Sequence, residues 1–109
     1  AVQGIPVCFD AKECASKTFP LQNVHGHQIC FMREFEEQGG IAFILLHFTG
    51  ENEIYYLPFK DLYGFWQRME AGGRKSFTYE EIDKRFLVQM HRDVLVHYLE
   101  ALQKDLEQR

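Results

Sequence analysis

The chain has 109 residues, 46% of them apolar and ten of them Phe, and carries a formal net charge of −4. This is enough for one domain with one modest core, and no stretch is long and apolar enough to cross a bilayer. The negative charge excludes a general electrostatic nucleic-acid binder, since phosphate affinity comes from Lys and Arg. It does not exclude a nuclease, which needs carboxylates, but any grip on DNA must then be local. The N-terminal Ala1-Val2-Gln3-Gly4 has neither a charged region nor a following apolar run, so it does not read as a signal peptide. Cys8, Cys14 and Cys30, an odd number without framework spacing, predict free thiols in a reducing, cytoplasmic compartment.

In chain order, Ile5 to Lys12 reads as a strand, apolar on both faces until Asp10, as suits a strand covered on both sides. Glu13 to Gln22 reads as a connection, with Pro20 arguing against helix. Asn23 is the predicted cap of a helix to about Gln38, with Val24, Phe31 and Phe35 on its apolar face, Met32 beside them and Gln28 on the same face. Gly39-Gly40 stops it. Ile41 to Phe48 and Glu53 to Leu57 are predicted strands joined by the turn Thr49-Gly50-Glu51-Asn52. Pro58 sits where a helix can begin, with Leu62, Phe65, Trp66 and Met69 on its buried face. Ala71 to Ser76 is a loop, and Thr78 with Glu81 forms a capping-box pattern for a short helix. Arg92 to Glu107, with Leu95, Leu99, Leu102 and Leu106, reads as an amphipathic helix, and Gln103 to Arg109 as its solvated end. This order predicts an α/β domain over residues 1–109, a mixed sheet flanked by helices.

The sharpest chemical feature is Asp10-Ala11-Lys12. Residues i and i+2 of a strand point to the same face, so the carboxylate and the ammonium project side by side. A carboxylate can hold a divalent metal and a lysine can stabilise negative charge in a phosphoryl transition state. The tripeptide alone recurs by chance, and by itself it reads first as a solvated ion pair at a strand end.

Its setting adds more. Phe9-Asp10-Ala11-Lys12-Glu13 is followed by Lys17-Thr18-Phe19-Pro20-Leu21, His27-Gln28, Gly39-Gly40-Ile41-Ala42-Phe43, Tyr56-Leu57-Pro58, Phe65-Trp66 and Gly72-Gly73-Arg74-Lys75-Ser76. That succession, from about Gly4 to Ile82, resembles the RecU family of Holliday junction resolvases. The resemblance implies the PD-(D/E)xK, restriction-endonuclease-like nuclease core and Mg²⁺-dependent cleavage of four-way DNA junctions. It also implies a homodimer, with a recombinase as a possible further partner. Carried over, Asp10 and Lys12 are the catalytic acid and lysine, and Asp10 and Gln28 are the metal-site residues. Lys17, Thr18, His27, Arg74 and Lys75 are candidates for DNA contact. The sequence departs from the family in having Asp10 where Glu is common and a Lys17–Leu21 loop one residue short. The segment after Ile82 matches poorly. The family's first metal-binding acid, basic arm and junction-inserting stalk are expected upstream of Ala1. A catalytically incomplete nuclease-fold module that binds DNA or a recombination protein is the competing expectation.

Other constellations are weaker. His25, His27, Cys14 and Cys30 lack a C-x-x-C pair, and two histidines two apart on a helix would face different ways. A capping or DNA-facing role is expected for His27, and core packing for Cys8 and Cys30. Gly72 to Ser76 offers backbone N–H groups and two cations to a phosphate without P-loop spacing. Tyr63, Phe65 and Trp66 read as core.

Overall fold

A computed structural model describes residues 4–88, 101–102 and 104–107. The central element is β3 (Ile41–Phe48), whose residues other than half-buried His47 are apolar on both faces because both are covered. Ala42, Ile44, Leu46 and Phe48 enter one core cluster, and Ile41 and Phe43 the other. On one side β3 pairs in parallel with β1 (Val7–Cys14), and on the other antiparallel with β4 (Glu53–Pro58). Beyond β4, the two-residue strand Leu87–Val88 pairs with it antiparallel, so the sheet runs β1, β3, β4 and then Leu87–Val88. The turn between β3 and β4 is the predicted one, and Asn52 takes its left-handed position at φ 52°.

Two helices cover one face of the sheet. Helix α1 (Gly26–Glu37) contributes Ile29 and Met32, and α2 (Phe59–Glu70) contributes Phe59 and Leu62, to the cluster built on Ala42, Ile44, Leu46 and Phe48. Tyr63, Phe65, Trp66 and Met69 pack half-buried against it. The α/β class, the mixed sheet and the shared sheet of β1, β3 and β4 are as expected. The other face carries Ile41, Phe43, Tyr56, Phe86 and Val88, covered by Ala101 and Leu102.

Several expectations are corrected. Helix α1 starts at Gly26, capped by His25, because Leu21–Asn23 forms a tight 3₁₀ turn and the backbone at Val24 and His25 is extended. Counting helical periods from Val24 therefore misplaces the buried face. Ile29 and Met32 are buried, whereas Phe31 is 59% exposed. Cys30 is exposed rather than core, Cys14 is the buried thiol, and Cys8 is half-buried against the core. The connection after β1 and the loop after α2 each contain a short strand, β2 (Thr18–Pro20) and β5 (Ser76–Thr78), paired antiparallel with Phe19 opposite Phe77. Both rings are fully buried, 5.1 Å apart. The Thr78–Glu81 capping box exists, on a 3₁₀ turn (Tyr79–Glu81).

Most of the predicted C-terminal helix lies outside the described residues. Those described, 101–102 and 104–107, are helical. They are not merely a solvated end, since Asp105 is buried and accepts a hydrogen bond from Tyr56 Oη at 2.5 Å. Among the described residues no helix is long and apolar enough to cross a membrane.

Candidate active site

The register of β1 against β3 pairs Cys8 with Ala42, Asp10 with Ile44, Lys12 with Leu46 and Cys14 with Phe48. Paired residues share a sheet face, so Asp10 and Lys12 lie on the face that the helices cover. Lys12 Nζ is 3.1 Å from Asp10 Oδ2. Helix α1 crosses that face with Gln28 in its first turn, and Gln28 Nε2 donates to the same Oδ2 at 3.0 Å. The other carboxylate oxygen, Oδ1, accepts the N–H of Ala11 at 2.9 Å. Asp10, Lys12 and Gln28, grouped in the sequence by strand spacing and by family resemblance, thus meet at one carboxylate.

The electrostatics of Asp10 are a contest. Partial burial pushes its carboxyl up, but the hydrogen bonds from Lys12 and Gln28, the Lys12 charge and the Ala11 N–H together hold it below the ordinary carboxylate range. Asp10 is therefore ionised at neutral pH. It faces a cleft of about 430 Å³ lined by Cys8, Phe9, Asp10, His27, Gln28, Phe31 and Met32. Phe9 belongs to the opposite sheet face, where it stacks on Phe43 at 5.2 Å, so the cleft wraps around the edge of β1.

The geometry at Gln28 has a second half. Its Oε1 accepts the backbone N–H of His25 at 3.2 Å, closing the first turn of α1 from the inside. His25, not Asn23 or His27, is thus the capping position. The spacing His25-x-x-Gln28 was the available signal, obscured because His is an unusual cap. Nor do the two histidines face apart, since their rings stack at 5.5 Å with 5° between planes. They can do so because only His27 is helical.

The remaining DNA-contact candidates fall on the β2–β5 ribbon and its ends. Lys17 is exposed, 4.0 Å from Glu51 Oε1 and 5.5 Å from the Tyr79 ring centre, and its carbonyl accepts the Tyr79 N–H at 2.7 Å. The Thr18 carbonyl accepts Ser16 Oγ at 3.0 Å and the Cys14 thiol at 3.2 Å. Arg74 is exposed with its guanidinium 4.0 Å from Glu81, and the carbonyl of exposed Lys75 accepts the Leu21 N–H at 2.9 Å. The ribbon joins two segments that the sequence presented as unrelated loops. His27 stands apart from it, on the rim of the Asp10 cleft.

Among the described residues, no group of three or more His, Cys, Asp or Glu side chains is placed to share a metal ion. Among the described residues that line this cleft, Asp10 is the one carboxylate. Its donor chemistry nonetheless suits Mg²⁺, which takes hard oxygen ligands, often just one or two carboxylates with water and substrate phosphate completing the shell.

Sequence comparison places the chain. The family model described as recombination protein U matches residues 1–104, past the Ile82 limit of the motif succession and through the segment expected to match poorly. The chain is 48% identical over 83 residues to the Holliday junction resolvase RecU of Bacillus cytotoxicus, covering 75% of this chain and 42% of that protein. It is 43% identical over 107 residues to that of Leuconostoc mesenteroides, covering 96% and 52%. Against that of Pediococcus pentosaceus it is 39% identical over 107 residues, covering 96% and 53%. The chain spans about half the length of these curated relatives. By the extent of the family match and the identity to these relatives, the chain belongs to the RecU, or recombination protein U, family.

Proposed function

We propose that this chain supplies the carboxylate and lysine of a Mg²⁺-dependent endonuclease that cuts DNA phosphodiesters at Holliday junctions during recombination and repair. The observation that carries the reading is the meeting of Lys12 and Gln28 on the Asp10 carboxylate, which lines a cleft together with Gln28. Family membership supplies the reaction class.

In this reading Asp10 holds the metal ion. Bound Mg²⁺ would supply Lewis-acid stabilisation of the phosphoryl oxygens and favour ionisation of the attacking water. Lys12 stabilises negative charge that grows on the phosphoryl group in the transition state. Its ammonium lies on Asp10, 3.1 Å away, so engaging a phosphate requires it to swing from one anion to another. Lysine suits such an exchange, being a flexible point charge rather than a rigid fork. Lys17, Thr18, His27, Arg74 and Lys75 grip the DNA locally, which a chain of net charge −4 requires. Assembly as a homodimer follows from the need to nick two strands across a roughly two-fold junction. A recombinase partner and a cytoplasmic location complete the proposal.

One observation favours a second reading. With a single carboxylate at the site among the described residues, the domain would serve as a junction- or partner-binding module that does not cut. The two readings separate in one experiment. The whole protein, given a synthetic four-way junction and Mg²⁺, is expected to nick it symmetrically, and Asp10→Asn is expected to bind the junction but not cut it. Tight binding without cleavage by the parent protein selects the module, and cleavage by Asp10→Asn at the parent rate removes Asp10 from the chemistry.

A further inference from the structure

We propose that the groove between α2 and the β2–β5 ribbon is a site for one unpaired nucleobase of the DNA, stacked on Trp66 and held at its phosphate by Lys75. The inference deepens the nuclease reading and rests on it for the class of ligand. The groove, of about 430 Å³, is lined by Pro20, Leu21, Gln22, Trp66, Met69 and Lys75. That is within the roughly 300–1,000 Å³ of clefts that take small organic ligands.

Three segments build it. Trp66 and Met69 lie three apart on α2, so they share a face of that helix. Pro20 ends β2, and Leu21 and Gln22 open the 3₁₀ turn that follows. Lys75 precedes β5, and its carbonyl accepts the Leu21 N–H at 2.9 Å, which ties the two ribbon segments together at the groove.

The residue types match the parts of a nucleotide. Trp66 packs half-buried against the core and also lines the groove. An aromatic ring accepts any base, because every base has a π face. Pro20, Leu21 and Met69 supply apolar walls. The Gln22 carboxamide is exposed and bonded to no other described residue, so it has donors and an acceptor to offer a base edge. Lys75 is exposed and makes no ion pair with another described residue, whereas Lys12, Lys17, Arg68 and Arg74 each lie within 4.0 Å of a carboxylate. In a chain of net charge −4, such an ammonium beside an aromatic groove selects an anion with a flat apolar part. Core packing accounts for the buried side of Trp66, but not for the uncommitted cation and amide on its open side.

The groove also borders the Asp10 cleft. An ideal Cβ on Gly26 would stand 3.9 Å from Trp66 Cζ2, so a side chain there would lie against that edge of the indole, and glycine leaves it open. The next residue, His27, lines the cleft. A strand crossing the start of α1 therefore passes from one to the other.

The test uses the whole protein without Mg²⁺, with single-stranded oligothymidylate, a duplex of the same length and a four-way junction as probes. Trp66 emission, taken as the difference between the parent and Trp66→Phe, is expected to fall with oligothymidylate and with the junction, and to stay unchanged with the duplex. Trp66→Leu is expected to bind oligothymidylate about tenfold more weakly, as the loss of one stacked base would give, with duplex affinity unchanged. Lys75→Ala, an exposed change that spares the fold, is expected to lower the salt dependence of oligothymidylate binding by about one counterion. Trp66 emission indifferent to saturating oligothymidylate, or quenched as strongly by the duplex, would overturn the proposal even if Trp66→Leu fails to fold. Junction binding with Trp66 silent removes this site and leaves the nuclease reading standing. A Trp66 response in a protein that never cuts, even with Mg²⁺, removes the nuclease reading and keeps the site. Failure to bind any of the three probes removes both.

Discussion

Asp10 and Glu81 are a matched pair with different fates. Each is a carboxylate held below its ordinary pKa range by a neighbouring cation and a backbone N–H. Each carries three polar contacts within 3.2 Å: Asp10 with Gln28, Lys12 and Ala11, and Glu81 with the two terminal guanidinium nitrogens of Arg68 and with Thr78 N. Neither the depressed pKa nor the bond count separates a reactive group from a fastening. The partners do. Arg68 grips Glu81 with a planar fork, donates to the Ser76 carbonyl at 2.9 Å, and lies 5.3 Å from the centre of the Phe65 ring. Its geometry is fixed on several sides, and it joins the end of α2 to β5 and the turn after it. Asp10 is met by one flexible lysine and one amide donor, beside an open cleft. A perturbed carboxylate marks a candidate site only when its cation is exchangeable.

The largest effect expected from this contrast is at Lys12. Lys12→Ala should cut junction cleavage by about a hundredfold or more, on the order of 3 kcal/mol of transition-state stabilisation, with junction affinity little changed. Single-turnover rates and gel-shift binding on the same preparations check it. If rate and affinity fall together, Lys12 holds the ground-state complex and not the transition state. Arg68→Ala should do the reverse. It should lower stability by about 1 kcal/mol, a value already discounted for the partial exposure of the pair, while the folded protein keeps its cleavage rate. Thermal melts set beside kinetics at a temperature where both proteins are folded test this. A rate loss in folded Arg68→Ala would mean that the clasp and the site are coupled.

How much of this was legible in the sequence depended on what each residue's role required. Strand β3 is legible to the residue because a strand covered on both faces is a near-continuous apolar run, broken here only by half-buried His47 near its end. Asp10 and Lys12 were paired because strand geometry alone puts i and i+2 together. Strands β2 and β5 were missed because each has three residues, too few for a periodicity, and they become strands only by meeting across the chain, with Phe19 against Phe77. The start of α1 was misplaced because Asn23 has good capping chemistry yet lies in a turn of its own, and because Val24 is buried without being helical. Gln28 entered the site through family resemblance. Its second bond, to His25, needed the true start of the helix to be known before the capping spacing had meaning.

The smallest effect expected is on acid stability, and it sharpens the same comparison. For Asp10 and Glu81 the folded-state pKa lies below the unfolded one. Each therefore adds stability that is fully present above the unfolded value, near pH 4, and is lost as pH falls through the folded value. Stability should decline in that window for the parent protein. Glu81→Gln should flatten the decline, since Gln has no charge to lose and also gives up the Arg68 pairing at neutral pH. Asp10→Asn should flatten it less, because the Asp10 side chain is 40% exposed and water screens its ion pair more than that of Glu81, at 26%. The contrast is expected to be within about 1 kcal/mol, readable as the difference in denaturant midpoint between neutral pH and pH 3 for the three proteins. An equal or larger flattening in Asp10→Asn would mean that Lys12 grips Asp10 as firmly as Arg68 grips Glu81. The exchange of partners required of Lys12 during cleavage would then carry a cost large enough to count against it.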